Sequence, residues 1–280
     1  MHQMISAIIH TKNEEKNIAQ AIHSVTWADE VLVVDMESTD ATVATAQGLG
    51  ARILQVPNAD YADPARAAGI RAALYPWIVY IDADELIPAE LAKKLRALAE
   101  NPTADAYMLP RANYMFGHLI AHTGWGADQD KQFRFFRRDA LEVHPNIHRK
   151  PSLMPGKKME VLTEKQVPAI VHFNYVDSNH FLTKLLRYTD IEAKAMDPEI
   201  PGTLRMMSVA AKEFVLRYIA LQGFRDGWRG LYLSLLMVTY RITALEKAAE
   251  IAERKAEGTI ESRYERIAKE VLDGYAAKQG

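Results

Sequence analysis

Residues 79–91, "VYIDADELIPAEL", run from an apolar strand into a polar helix start and place Asp82, Asp84 and Glu85 at the junction. Ionised carboxylates taken out of water cost several kcal/mol each unless something neutralises them. The run "WIVYID" (77–82) has the β-branched and aromatic content of a buried strand, and "PAELAKKLRALAE" (88–100) has helical periodicity. A strand that ends in Asp-x-Asp and turns into a helix makes an oxygen-rich edge suited to a hard divalent cation, Mg²⁺ or Mn²⁺. Such ions sit on one or two carboxylates and complete their shell with substrate phosphates. The competing reading of the same residues is a solvated acidic turn capping the helix after Pro88.

Outward from this stretch the first hundred residues alternate strand and helix patterns. "ISAIIH" (5–10), "VLVVD" (31–35) and "RILQV" (52–56) read as strands. Between them, Asn13 is expected to cap a helix carrying Glu14 and Glu15 in its first turn and Ile18, Ala21, Ile22 and Val25 on one face. "STDATVATAQGLG" (38–50) supplies a Ser/Thr cap, an apolar stripe of Val43, Ala46 and Leu49, and a stop at Gly50. A further helix is expected over Ala65–Leu74. This βαβ rhythm predicts an α/β fold with a mostly parallel sheet covered on both faces. Ligands collect beyond the carboxyl ends of such strands, where Asp35, Asp82 and Asp84 fall.

Composition narrows the function. The 280 residues are about half apolar and a quarter charged, with a net charge of −2, so there is no global basic footprint for nucleic acid. The absence of cysteine excludes disulfides, thiolate metal sites and cysteine nucleophiles. The N-terminal apolar run is too short for a signal peptide, and "GLYLSLLMVTY" (230–240) falls short of the ~20 residues of a transmembrane helix. A cytoplasmic protein, or one peripheral at the inner face of the plasma membrane, is expected. The chain contains no Gly-x-Ser-x-Gly elbow and no Walker loop, and "GLGARI" lacks dinucleotide spacing. "QFRFFRR" (132–138) alternates as a strand that can turn Arg134 to one face.

Two long segments carry a family resemblance: "IIHTKNEEKNIAQAIHSVTWADEVLVVDMESTDATVATAQGLGARIL" and "PWIVYIDADELIPAEL" resemble the donor half of family 2 glycosyltransferases with the GT-A fold. "GWGADQDKQFRFFRRDA", "AIVHFNY", "FLTKLLRYTDIEAKA" and "GFRDGWRGLYLSLL" resemble the branch that contains lipopolysaccharide-core β-glycosyltransferases. The resemblance implies a Rossmann-like GT-A domain over 1–180, with a nucleotide-sugar half (1–100) and an acceptor half (101–180), followed by a helical appendage over 181–280. It implies an inverting, metal-dependent transfer of a sugar from a nucleoside diphosphate, usually UDP, to a cell-envelope glycan or glycolipid. Thr11, Asn13 and Glu14 would edge the nucleotide pocket, Asp35 would accept from the base, Asp82 would face the ribose and Asp84 would hold the metal. His172, ending "VPAIVH", would complete the metal shell. Arg66 can offer a guanidinium to the diphosphate, although Ala67 stands where relatives commonly have asparagine.

Within the same pattern His148 aligns with a histidine of a Val-His-Glu segment in relatives, with Arg149 in place of the glutamate; His144 lies beside it. Asp130, in "DKQFR", matches the carboxylate of a related Asp-x-Gln-x-Arg pattern and is the expected catalytic base, with Asp128 as its near neighbour. The alternatives are a nucleotidyltransferase, which usually carries a Gly-rich loop absent from "HTKNEEKN", and a catalytically silent nucleotide-sugar-binding scaffold. The stretch from Arg205 to Arg241 holds six Lys or Arg against two acidic residues, interleaved with large apolar side chains. That pattern suits either contact with an anionic membrane or packing on the catalytic domain or a second subunit.

Overall fold

The structure is a computed structural model and describes residues 3–58, 63–142, 152–197 and 199–276. The chain divides into two compact units, 1–176 and 177–280. In the first, β1 (Ile5–Thr11), α1 (Ile18–Ser24), β2 (Glu30–Asp35), α2 (Thr42–Gly48), β3 (Arg52–Gln55), α3 (Asp63–Ala72) and β4 (Trp77–Asp82) alternate as the sequence pattern predicts. β5 (Glu85–Leu86), α4 (Ala89–Glu100), β6 (Ala106–Met115), β7 (His118–Leu119), β8 (Lys131–Arg137), β9 (Leu141–Glu142), β10 (Ser152–Leu153), β11 (Met159–Val161) and β12 (Ile170–Tyr175) complete it.

The main sheet runs β3-β2-β1-β4-β8-β6-β12-β5, with β7 and β11 also on β6. Its first four strands are parallel, and β8 enters antiparallel between β4 and β6. β6 is long enough to serve two neighbours, pairing with β8 through Ala106–Pro110 and parallel with β12 through Arg111–Met115. The result is a curled, mostly parallel α/β sheet flanked by helices, the expected fold class.

All seven residues of β1 are buried, because helices cover both faces. Ile5, Ala7 and Ile9 join Val33, Val79 and Ile81 under α1 and α4, whose Ile18, Ile22, Leu91 and Leu95 are buried with them. Ile8 faces the other way, with Leu32, Val34, Ile78 and Tyr80 beneath Ala65 and Ile70 of α3. Trp77 and Phe135 stack at 4.8 Å and tie β4 to β8.

Three local expectations are corrected. The first helix begins at Ile18 rather than at an Asn13 cap. Asn13 has φ +54°, and its side chain accepts instead from Thr39 N at 2.8 Å, across to the loop after β2. The α2 cap is likewise not a Ser/Thr hydroxyl; Asp40 accepts from Thr42 N at 3.0 Å. The helix expected over Ala65–Leu74 sits two residues earlier, because Leu74 N donates to Glu30 Oε2 at 2.9 Å and leaves the helix. The stop at Gly50 holds, with φ +80°.

The second unit is helical as expected: α5 (Ser178–Ala195), α6 (Thr203–Phe214), a π-helical stretch (Val215–Ala220), a 3₁₀ turn (Gly223–Asp226), α7 (Gly227–Glu257) and α8 (Ile260–Ala276). Asp177 caps α5 by accepting from His180 N at 2.8 Å. Among the described residues no helix is long and apolar enough to cross a membrane.

The closeness of α3 to the sheet depends on Gly69, where an added Cβ would lie 2.9 Å from Val34 Cγ2 and 3.1 Å from Ile8 Cγ2. Gly69→Ala gains roughly 1 kcal/mol of helix propensity and loses about 1–3 kcal/mol to overpacking. The expected outcome in urea unfolding is a net loss of about 1 kcal/mol, whereas an exposed glycine of the same helix type would show a gain.

Candidate active site

The site begins with strand register. β1 sets His10 opposite Asp82 on β4 and Thr11 opposite Asp35 on β2, so the three strands deliver these side chains to one carboxyl edge. Asp35 is fully buried; Ser38 N donates to its Oδ2 at 3.1 Å. Its Oδ1, Thr11 Oγ1 and the Tyr80 hydroxyl are buried without a protein hydrogen-bond partner. Buried polar atoms are nearly always satisfied, so three such atoms at a sheet's carboxyl edge point to a ligand.

Beyond Asp82 the chain turns sharply. Ala83 N donates to His10 O at 3.1 Å and Asp82 N to Glu85 Oε2 at 3.1 Å. β5 then pairs antiparallel with β12, placing Glu85 opposite His172, while Phe173 N donates to Asp84 O at 2.9 Å. This pairing brings Asp84 from one half of the unit beside His172 from the other.

The carboxylates of the 79–91 stretch have separate partners. Glu85 is fully buried, and Oε1 accepts from Arg111 Nη1 at 2.9 Å and Arg134 Nη2 at 2.8 Å. Arg134 Nη2 also donates to Asp82 Oδ2 at 2.7 Å, and Arg66 Nη2 lies 3.8 Å from Asp82 Oδ1. The guanidinia of Arg134 and Arg66 lie 4.4 and 5.1 Å from the Tyr80 ring centroid. Burial alone would push the Asp82 carboxyl up, but Arg134 and then Arg66 outweigh it and hold it well below the usual carboxylate range. Arginine therefore neutralises Asp82 and Glu85, a task that sequence analysis gave to a cation. The signal for it was polar residues at alternate positions of β-rich runs, Arg111 and Asn113 in "PRANYM" and Arg134 in "QFRFF".

Asp84 is treated differently. Asn113, fully buried on β6, has its amide orientation fixed by Nδ2, which donates to Trp125 O at 2.9 Å, Asp130 Oδ2 at 2.8 Å and Arg111 O at 3.3 Å. Its Oδ1 therefore accepts, and His172 Nδ1, 2.6 Å away, must carry the proton. In the neutral ring this leaves Nε2 with a lone pair, 3.5 Å from Asp84 Oδ2. A histidine whose second nitrogen is locked as a donor while the first faces a carboxylate oxygen is the arrangement of a metal ligand. The two atoms are close enough for one divalent ion with bonds of about 2.1 Å to each. Among the described residues no group of three His, Asp or Glu converges.

Asp130 joins the same network from the turn before β8. Its Oδ2 accepts from Arg111 Nε at 2.9 Å, Arg111 Nη2 at 2.7 Å and Asn113, while Oδ1 accepts from Gln132 Nε2 at 2.6 Å. Burial pushes this carboxyl up, and Arg111, Asn113 and Gln132 together hold it below its usual value. Asp128 points elsewhere, accepting from Glu164 N at 3.2 Å on an exposed surface.

Asn13 and Glu14 lie in the β1–α1 loop and are tied to the loop after β2 and the start of α2, Asn13 N donating to Ser38 Oγ and Glu14 N to Thr42 Oγ1, each at 2.8 Å. The structure thus gathers Thr11, Asp35, Arg66, Asp82, Asp84 and His172 at the edge, with Asp130 linked through Arg111 and Asn113. His144 and His148 lie outside the described residues.

The model of the family described as "Glycosyl transferase family 2" matches residues 6–154, spanning β1 through β10. The chain belongs to glycosyl transferase family 2. This family-2 chain is 40% identical over 121 residues to an uncharacterized glycosyltransferase of Rickettsia felis, a match covering 43% of this chain and 41% of that one. It thus spans about two fifths of the length of that relative. Over 264 residues it is 25% identical to the "Lipopolysaccharide core biosynthesis glycosyltransferase LpsC" of Rhizobium meliloti, covering 90% of this chain and 93% of the relative. Among solved structures, TarS 1–349 of S. aureus is 15% identical with a TM-score of 0.42, covering 91% and 88% of the two chains.

Two outcomes follow from the network. Glu85→Ala leaves Arg111 and Arg134 facing each other in a buried site, so equilibrium unfolding should show a loss of about 3–5 kcal/mol. His10 supplies the pH dependence. Burial depresses its pKa from 6.5 to about 3, so the folded ring stays neutral while the unfolded one protonates below 6.5. Folding stability should fall as pH drops from about 6.5 towards 3, with a slope of at most about 1.4 kcal/mol per pH unit from this residue. Thermal melts at pH 7, 6 and 5 should show a shallower decline for His10→Leu than for the parent.

Proposed function

We propose that this protein transfers a sugar, with inversion, from a nucleoside diphosphate donor to a cell-envelope glycan or glycolipid, using a divalent cation held by Asp84 and His172. The observation that carries the reading is His172 Nε2 lying 3.5 Å from Asp84 Oδ2, with Nδ1 of the same ring held 2.6 Å from Asn113 Oδ1. Charge balance supports it. Around the turn, Arg66, Arg111 and Arg134 match Asp82, Glu85 and Asp130, and Asp84 has no arginine partner and lies beside His172. A diphosphate brought to that edge adds negative charge, and a bound Mg²⁺ or Mn²⁺ would offset it and stabilise the leaving group.

Residues 1–100 act in this reading as the nucleotide-sugar half and 101–180 as the acceptor half, with 181–280 as a helical appendage. Asp35 and Thr11 receive the base, which is uracil in a UDP donor, and Asn13 and Glu14 border it. Asp82 faces the ribose, and Arg66 faces the diphosphate. Asp130 is the base. As the acceptor oxygen bonds to the anomeric carbon, Oδ1 of Asp130 takes the hydroxyl proton, and the bond to the diphosphate breaks with its electron pair on the departing nucleoside diphosphate. Arg111 and Asn113 hold the carboxylate still through Oδ2. The resemblance to LpsC over most of the chain supports an acceptor in the lipopolysaccharide core.

The test measures release of nucleoside diphosphate from a panel of nucleotide sugars with Mn²⁺ or Mg²⁺ and a core glycan acceptor. Turnover should stop in excess chelator. Asp130→Asn should keep donor-induced thermal stabilisation and lose about 10²–10⁴-fold in rate. Because the Asp130 carboxyl is held low, the acid limb of the rate should fall below the ordinary carboxylate range, with no loss attributable to this group between pH 5 and 8. Release of inorganic diphosphate instead would mark nucleotidyl transfer, and donor binding without product would mark a scaffold.

A further inference from the structure

The second unit carries a feature that sugar transfer does not use. α6 and α7 pack against each other, joined by the π-helical stretch and the 3₁₀ turn. The tip is built to fixed shape. Gly230 sits so close under the turn that a Cβ there would lie 1.8 Å from Gly223 O, and Gln222 and Gly227 take φ of +58° and +63°. Glu213 is buried at the seam, accepting from Arg217 Nε at 2.8 Å with Arg241 Nε at 3.5 Å.

Outside that seam large apolar side chains are exposed. On α6 Leu204 and Met207 are exposed, and Val215, Leu216 and Ile219 continue them along the π-helical stretch. Across the tip, Phe224, Trp228, Leu231 and Leu235 recur at helical spacing on the outer side of the turn and α7; Trp228 is 66% exposed. Four large apolar side chains exposed at one helical spacing mark an interaction surface rather than scattered surface leucines. Its charge selects the partner. From Arg205 to Arg241 six Lys or Arg stand against two acidic residues, one of which is the buried Glu213. Lys212 and Arg225 are exposed, and Arg229 lies 4.5 Å over the Trp228 ring. The basic excess stops there: residues 242–257 of α7 hold four Glu against three Lys or Arg.

We propose that this tip is a monotopic membrane anchor that lies in the interface of an anionic phospholipid bilayer, with Phe224 and Trp228 in the headgroup–acyl boundary and Lys212, Arg225 and Arg229 on the lipid phosphates. Apolar area and cationic fringe on one rigid surface are what interfacial insertion requires. A second copy of the chain would bring the same basic fringe against itself, which opposes pairing. The proposal stands apart from the sugar-transfer reading, since vesicle binding needs neither donor nor acceptor.

The test is flotation of the full chain with vesicles of phosphatidylcholine alone and with one third phosphatidylglycerol, at 0.1 and 0.5 M NaCl. Binding should require the anionic lipid and weaken at high salt. Trp228→Ser and the pair Lys212→Glu with Arg225→Glu should each lower partitioning by at least about tenfold. Both variants should retain the parent's far-UV circular dichroism and melting midpoint within a few degrees, since these side chains are exposed. Absence of binding to anionic vesicles at 0.1 M salt overturns the proposal. So does a parent that is dimeric in sedimentation without lipid and becomes monomeric on Trp228→Ser, which would assign the surface to a second copy.

Discussion

A fully buried glutamate between two arginines is the constraint on which the active site depends. Glu85 holds Arg111 and Arg134 at 2.9 and 2.8 Å, and each arginine passes its remaining hydrogen bonds to a carboxylate of a different half, Asp130 and Asp82. Removing three carboxylates from water is favourable only if the cations are delivered with matching geometry, and planar guanidinium forks on adjacent strands do this. The strand order explains why it is possible. β8 lies between β4 and β6, so Arg134 reaches back to Asp82 at the end of β4 while Arg111 reaches across to Asp130.

A second chain of contacts closes the loop on the other side. Asn113 donates to Asp130 and accepts from His172, and His172 in turn faces Asp84. One amide therefore sets both the position of the carboxylate proposed as base and the orientation of the histidine proposed for the metal. Two polar networks meeting at Asp130 make the site a rigid frame, and rigidity is what preorganised charge needs in order to act on a reacting centre. Two of the buried atoms without a protein hydrogen-bond partner, Thr11 Oγ1 and Asp35 Oδ1, lie beyond this frame at the β1–β2 edge.

The two units rest on different physics. The first buries strands on both faces and pairs Asp82, Glu85 and Asp130 with arginines. The second keeps Leu204, Met207, Trp228 and Leu235 outside while burying Glu213 under arginines. An apolar surface held on a shaped tip costs solubility, and its retention beside a basic fringe is consistent with a surface meant to be covered by lipid.

By itself the sequence determined the alternating α/β order, the parallel core of β1, β2, β3 and β4, and the arrival of Asp35, Asp82 and Asp84 at one edge. Those follow from periodicities of 2 and 3.6 and from the rule that parallel strands share a carboxyl end. Family membership was legible in the same motifs. Tertiary structure alone decided that Glu85 is paired by Arg111 and Arg134 and that Asn113 orients His172, because those partners lie 26, 49 and 59 positions apart in the chain. It also moved Asn13 from a helix cap to a cross-loop tie, since a side chain that can satisfy a local N–H can equally satisfy one brought from β2. Local pattern specifies what the backbone does with its own hydrogen bonds; which distant charge meets which is fixed only when the strands are ordered in the sheet.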